Sequence, residues 1–309
     1  MLAIFLKTLP FFALIALGYG AGRLRVFPAE ATAWLTKFVF YFALSAMLFK
    51  LTVTLSFAEI WDPVFAAAYL AATGGLYAIQ FALSRLRGVS LAEATIEAQT
   101  GCIGNTGFLG IPMLAVLLGP ASNGPILMVL TIDMIVFSSL VTLLITAARS
   151  GRLGLSSIRS LALGLAQNPM IVSMVAGFAW SAAALPLPGP MMETLTLLGS
   201  AATPCALFAI GASLAGRSAE RLAVAGWLSF SKLILHPAMA ALMAFAVFPV
   251  DPQAAGVMIA AAALPVAGNI YILAQHYRVA PQRVSAAILL STAFSIVTVP
   301  PVIAWATGA

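Results

Sequence analysis

The sequence contains few charged residues. Only 8% of its 309 residues are Asp, Glu, Lys or Arg, whereas soluble domains have about 25%. Apolar residues make up 62% of the chain, and its mean hydropathy is +1.06. This composition excludes a soluble globular protein and predicts a polytopic protein with the lipid bilayer as its main partner.

Cysteine and catalytic motifs are also scarce. Cys102 and Cys205 both lie in apolar segments, so we predict no disulfide between them. The sequence has no His-Glu-x-x-His, Gly-x-Ser-x-Gly or Walker A motif. We therefore expect neither an enzyme nor ATP-driven transport within this chain, and we expect no cofactor and no bound metal.

Ten segments are long and apolar enough to cross the hydrocarbon core, which takes about 20 residues. They cover approximately residues 2–21, 32–51, 64–84, 95–118, 125–147, 168–185, 194–214, 223–248, 255–276 and 284–306. The first segment lacks a basic region and a cleavage site, so it is predicted to be a span and not a signal peptide.

Basic residues are concentrated in alternate connections between these segments. Eleven of the fifteen lie there, namely Arg23, Arg25, Arg85, Arg87, Arg149, Arg152, Arg159, Arg217, Arg221, Arg278 and Arg283. The opposite connections contain Glu59, Asp62, Glu193 and Asp251. The positive-inside rule then places both termini outside. It also explains the net charge of +6 without a nucleic-acid partner.

Two of the ten segments are interrupted by glycine, proline and asparagine. Residues 101–112 read GCIGNTGFLGIP, and residues 264–269 read LPVAGN. We predict a cytoplasmic linker at residues 148–167, which separates two five-span repeats, 1–147 and 168–309. Because five is odd, the two repeats enter the membrane in opposite directions. The fold predicted is therefore all-α, with ten transmembrane helices in a 5+5 inverted repeat whose fourth and ninth helices are broken.

Broken helices at mid-membrane favour a binding site. Each break exposes a half-helix N-terminus, which attracts anions such as carboxylates. Asn105, Thr106 and Asn269 add neutral amide and hydroxyl groups next to the breaks. The glycines alone are explained equally well by close helix packing. The combination predicts a site for a small organic anion.

Three ionisable residues lie inside predicted spans, where charges are costly and usually functional. Asp133 and Lys232 are near mid-depth, and His236 is one turn beyond Lys232. Asp133 and Lys232 balance charge or carry a coupling proton, or else they form a structural ion pair. His236 either titrates or is a hydrogen-bonded packing histidine.

Several motifs resemble the auxin efflux carrier family, which has plant and bacterial members. Residues 105–112 are similar to its fourth-span motif, Asn-Thr-x-x-x-Gly-Ile-Pro. The ninth-span pattern is matched by Ala263, Leu264, Pro265, Ala274, Tyr277, Val279 and Pro281. Lys232 and Pro237 in span eight are also similar.

The resemblance implies a sodium/proton-antiporter-like and bile-acid-symporter-like fold. A scaffold of spans 1, 2, 6 and 7 would form a homodimer, and a transport region of spans 3, 4, 5, 8, 9 and 10 would move by an elevator mechanism. The substrate would lie where spans four and nine cross. The residues expected there are Gly104, Asn105, Thr106, Pro112, Pro265, Gly268, Asn269 and Ile270.

Two departures point to a bacterial-type member in the inner membrane. Ile270 stands where plant members have a second proline, and the central linker is short. Bacterial members are associated with malonate, malate and similar anions, so we expect an efflux carrier for a small carboxylate. The alternatives are a sodium-coupled symporter of the bile-acid type and a membrane ligand sensor that does not transport. The crossings are expected to offer amides and one hydroxyl but no acid, which counts against the symporter.

Overall fold

The computed structural model describes residues 2–55, 60–150, 155–216 and 222–306, and the predictions for Glu59, Arg152, Arg217 and Arg221 lie outside them. Within these ranges the chain forms thirteen helices, and its only β-type contact is an isolated bridge. The helices are α1 (Leu2–Arg23), α2 (Ala29–Thr54), α3 (Pro63–Leu86), α4 (Leu91–Cys102), α5 (Thr106–Leu118), α6 (123–150), α7 (Leu155–Ala166), α8 (Pro169–Ala182), α9 (Gly189–Ala215), α10 (Leu222–Val247), α11 (Pro252–Ala262), α12 (Gly268–His276) and α13 (Pro281–Ala306).

Seven helices in the described ranges are long and apolar enough to cross a membrane: α1, α2, α3, α6, α9, α10 and α13. Shorter helices occupy the other three predicted spans, with α4 and α5 in the fourth, α8 in the sixth, and α11 and α12 in the ninth. The predicted all-helical membrane architecture is thus confirmed, whereas the inverted repeat stays a prediction. The predicted linker contains α7, a helix that the hydropathy pattern did not indicate.

Short sequence signals explain where several helices begin. An Asp or Asn side chain accepts hydrogen bonds from the first turn, and a proline follows at the first helical position, in α3 (Asp62), α8 (Asn168) and α11 (Asp251). The carboxylate or amide satisfies amide groups that have no intrahelical partner. Helix α4 begins instead with a capping box between Ser90 and Glu93.

The helices pack in two groups. Helices α1 and α9 lie against each other, as do α2 and α8, and α2 also contacts α9. In the second group, α3 packs on α4 and α10, α10 packs on α11 and α13, and α6 packs on α4 and α11. The fourth- and ninth-span helices, which are both broken, belong to the second group.

Glycine allows α1 and α9 to approach backbone to backbone. A Cβ atom on Gly18 would lie 2.1 Å from the carbonyl oxygen of Phe208, and one on Gly211 would lie 1.9 Å from the carbonyl oxygen of Ile15. Real Cβ atoms do not come this close, so any larger residue must push the helices apart. Small residues at such interfaces are the usual means of tight helix packing in membranes.

We expect Gly18→Ala to destabilise the protein by about 1–3 kcal/mol, because the added methyl group overpacks the contact with α9. Gly20→Ala is the matched control in the same helix, since a Cβ there would meet nothing within 4 Å. Thermal unfolding of both variants in detergent measures the difference. Equal melting temperatures for the two variants would contradict this packing.

Candidate functional site

The two interrupted helices meet at their breaks. Extended residues join α4 to α5 and α11 to α12, and they pair in antiparallel fashion at Gly104 and Val266. The Asn105 amide donates to the Pro265 carbonyl at 2.8 Å, and the Ala267 amide donates to the Ile103 carbonyl at 3.2 Å. Backbone groups that the broken helices would leave unpaired are therefore satisfied by the opposite break, as an apolar surrounding requires.

Glycine allows close packing in and just after the fourth-span break. A Cβ on Gly104 would lie 3.1 Å from both Cε and Nζ of Lys232, and a Cβ on Gly110 would lie 2.6 Å from Cδ1 of Leu264. These contacts agree with the packing interpretation of the glycines at these two positions. The asparagines are then the part of the motif that bears on a binding site.

A cavity of about 40 Å³ lies at the crossing, with space for a few water molecules. Its polar lining comes from Asn105, Asp133 and Asn269, with the backbone of Gly104 beside them. Its apolar lining includes Phe40, Phe108, Met134 and Met170. The cavity thus joins four of the residues predicted from the sequence to side chains from α2 and α8, which belong to the other packing group.

Several buried polar atoms of this site have no hydrogen-bond partner. Asp133 accepts from the Tyr69 hydroxyl through Oδ1 at 2.8 Å, but its Oδ2 is unpaired, and so is Asn269 Oδ1. An unpaired buried polar atom costs about 1–3 kcal/mol. A hydrogen-bond donor, a proton or a cation that satisfied these oxygens would recover this free energy.

The cavity also offers hydrogen-bond donors. Helices α5 and α12 both begin at the crossing, and the first amide groups of a helix have no intrahelical partners and carry partial positive charge. The Asn269 amide can present its oxygen or its NH₂ group. Asn105 caps α5, because its Oδ1 accepts from the Phe108 amide at 3.3 Å. The site can therefore bind an anion through amides and a proton or cation through Asp133.

Lys232 lies fully buried behind the crossing, in a π-helical turn of α10. Its ammonium group donates to the carbonyl of Ala262, the last residue of α11. The ion pairs among the described residues join Arg87 to Glu97 and Arg283 to Glu93 and Glu97. Lys232 thus neutralises a helix C-terminus and makes no direct ion pair with Asp133.

His236 lies one turn further along α10 and is also fully buried. Its Nε2 shares a hydrogen bond with the Thr73 hydroxyl at 3.0 Å, and its Nδ1 has no partner. This contact agrees with the packing interpretation of His236. It lies outside the cavity lining.

The remaining predicted site residues lie around the cavity and do not line it. Pro265 contributes its carbonyl to the crossing, and Ile270 is fully buried in the apolar core. Thr106 has a buried hydroxyl without a partner. Pro112 lies in the first turn of the segment Ile111–Leu118, and Gly268 is the first residue of α12.

Sequence reasoning missed a buried charge cluster at the start of α4. The Glu97 carboxylate accepts hydrogen bonds from Ser84 at 2.6 Å and from Arg87 and Arg283, and Arg283 also bonds Glu93 at 3.0 Å. The cluster joins the end of α3 and the starts of α4 and α13. Glu97 is an acidic residue inside a predicted apolar span, and this is the one sequence signal that could have indicated the charge cluster.

Two broken helices that cross around a small polar cavity, in a multi-pass helical membrane protein, are the arrangement of a secondary transporter. The chain belongs to the family described as "Membrane transport protein", whose sequence model matches residues 3–303. This match confirms the resemblance to the auxin efflux carriers. The protein is accordingly a membrane transporter of that family.

Curated relatives carry transporter names. The chain is 33% identical over 298 residues to a Rhizobium meliloti (strain 1021) protein named "Putative malonate transporter", covering 94% of this chain and 92% of that protein. It is 26% identical over 309 residues to the "Uncharacterized transporter YfdV" of Escherichia coli (strain K12), covering 97% of both chains.

Proposed function

We propose that the protein is a secondary carrier that exports a small organic anion, a mono- or dicarboxylate such as malonate or malate. The observation that carries this proposal is the cavity at the crossing, which Asn105 and Asn269 line where α5 and α12 begin. The N-termini of α5 and α12 and the amides of Asn105 and Asn269 would hold the carboxylate.

Charge and size support this substrate class. The buried ammonium of Lys232 lies against Gly104, which lines the cavity, and so supplies a positive charge close to the site. The volume of about 40 Å³ excludes a bulky aromatic acid, and even a short-chain acid would require the cavity to widen when it binds. The name of the Rhizobium relative adds independent support for malonate.

The position of the cavity between two helix groups supports an elevator mechanism. Phe40 and Met170 line it from α2 and α8, whereas the polar residues come from the group that contains both breaks. We propose that helices α3–α6 and α10–α13 carry the substrate past a scaffold of α1, α2, α8 and α9. As in the carriers it resembles, this scaffold would form a homodimer in the inner membrane.

A sodium-coupled symporter is the second candidate function, and one observation favours it. The expectation that no acid lies at the crossing was wrong, because Asp133 lines the cavity together with two asparagine amides. Carboxylate and amide oxygens are hard ligands of the kind that bind hard cations. Carboxylate flux measured with and without sodium decides between the two carriers.

We expect Asn269→Ala to weaken carboxylate binding by about tenfold or more, since it removes a hydrogen-bonding group from the cavity. Asn105→Ser, which keeps a capping oxygen, should weaken binding less than Asn105→Ala. The measurements are a thermal-shift titration with malonate, which scales with occupancy, and flux into proteoliposomes.

Asn123→Ala is the matched control. Asn123 also has a buried Oδ1 without a partner but lies outside the cavity lining. Normal malonate binding and flux by folded Asn105→Ala and Asn269→Ala proteins would refute the site. Saturable ligand stabilisation of the wild type without flux above leak would instead indicate a sensor.

A further inference from the structure

A second and much larger cavity opens next to the crossing. Its volume is about 1030 Å³, and it is lined by the end of α1, the start of α2, the end of α9 and one side of α12. These helix ends adjoin connections that are rich in arginine. The cavity therefore opens on the face that the positive-inside rule assigns to the cytoplasm.

Three cations line this cavity: Arg23, Arg25 and Lys37. None of the three takes part in the ion pairs of the described chain, and none of the described lining residues is acidic. By contrast, Arg87 and Arg283 on the same face are neutralised by glutamates. The cavity therefore carries uncompensated positive charge, which a concave surface focuses on ions inside it.

Local structure positions two of these cations. Lys37 lies over the ring of Trp34, with its ammonium 4.4 Å from the ring centroid, a favourable cation–π contact. Arg25 has φ of 58° just beyond the end of α1, in the left-handed region where glycine is favoured. An arginine in this conformation costs about 1–2 kcal/mol. A need for positive charge at the cavity mouth would explain why arginine and not glycine stands there.

The large cavity and the crossing cavity share two helices. On α2, Lys37 lines the large cavity and Phe40, three residues on, lines the small one. On α12, Ile272 lines the large cavity and Asn269, three residues back, lines the small one. Three residues are less than one helical turn of about 5.4 Å, so the two cavities lie close together along both α2 and α12.

We propose that this cavity, which we call the basic vestibule, is a weak anion-binding site in which Arg23, Arg25 and Lys37 collect small carboxylates and deliver them along α2 and α12 to the crossing. This inference rests on the proposed carboxylate transport. The vestibule raises the local anion concentration and takes no part in the holding of substrate at the crossing.

The test compares wild-type protein with R23Q/R25Q/K37Q in phosphatidylcholine vesicles. Initial rates of labelled malonate flux are measured against concentration at about 20 mM and about 300 mM salt. We expect the triple variant to raise KM about fivefold to tenfold at low salt with kcat unchanged. The wild-type KM should rise with salt to meet that of the variant, because screening removes the same attraction.

The control is R85Q/R159Q/R278Q, which removes three charges from other basic connections and outside the vestibule lining. It should leave KM at the wild-type value, and so should the charge-retaining variant R23K/R25K. The triple variant should fold, because Arg23, Arg25 and Lys37 are solvent-exposed. Size-exclusion profiles and melting temperatures check this.

A folded triple variant with wild-type KM and wild-type salt dependence would overturn the vestibule proposal while leaving carboxylate transport intact. A KM difference that occurs only when phosphatidylglycerol is added would mean that the three cations bind lipid headgroups, and it would also overturn the proposal. An absence of any carboxylate flux in the wild type would overturn the proposed function and the vestibule with it.

Discussion

Replacement of Lys232 by methionine is expected to lower transport by about a hundredfold or more while the protein stays folded. The Lys232 ammonium is buried between the ends of the fourth- and ninth-span half-helices, where it donates to the Ala262 carbonyl. The C-terminus of a helix carries about half a unit of negative charge. Without the ammonium, that charge faces the anion site uncompensated.

The Lys232→Met experiment separates transport from folding. Methionine fills a similar volume but leaves the Ala262 carbonyl without its donor, so the protein should stay folded with a free energy of unfolding lowered by about 1–3 kcal/mol. Lys232→Arg should not restore transport, since the space beside Gly104 is already filled to about van der Waals contact. Lys50→Met, at the far end of α2 from the vestibule, is the control. Wild-type flux by Lys232→Met would show that the charge has no role.

Replacement of Asp133 by asparagine is expected to make transport independent of pH. Asp133 lines the same cavity as the proposed carboxylate site, and its Oδ2 has no hydrogen-bond partner. Two like charges about 4 Å apart repel by about 4 kcal/mol at a dielectric of about 20. A carboxylate substrate therefore binds best when Asp133 is protonated, which couples its movement to a proton.

Wild-type malonate flux should accordingly increase as pH falls, and it should be accompanied by proton flux. The Asp133→Asn variant should still bind and transport malonate, but with neither the pH dependence nor the proton flux. A pH-sensitive dye inside proteoliposomes measures the proton flux. Tyr69→Phe is the control, because it removes the hydrogen bond to Oδ1 but leaves the carboxyl group in place. Proton-coupled flux by Asp133→Asn would exclude Asp133 as the proton carrier.

The sequence predicts the breaks of the two helices well because their causes are local. Glycine, proline and asparagine interrupt a helix wherever they cluster, and an Asp or Asn before proline starts one. The same reasoning identified Asn105, Asn269 and Asp133, which the structure brings to one cavity. These three residues are polar and lie in otherwise apolar segments, so the sequence alone is enough to identify them as candidates.

The partners of these residues could not be predicted, because they depend on packing between distant segments. Glu97 and Arg283 are 186 positions apart in sequence, and no periodicity relates them. Phe40 and Met170 are ordinary apolar residues whose place at the cavity follows only from how α2 and α8 lie against the crossing. For Lys232 the sequence left open a role in charge balance or proton coupling and a structural ion pair with Asp133, and the hydrogen bond to the Ala262 carbonyl follows only from the fold.

The contact between the two breaks has a consequence for how such carriers diversify. It consists of main-chain hydrogen bonds between residues 103–105 and 265–267, so it does not use the side chains of Asn105 and Asn269. If these two asparagines bind the substrate, as proposed, single substitutions there would change which anion is recognised and leave the main-chain bonds between the helices in place.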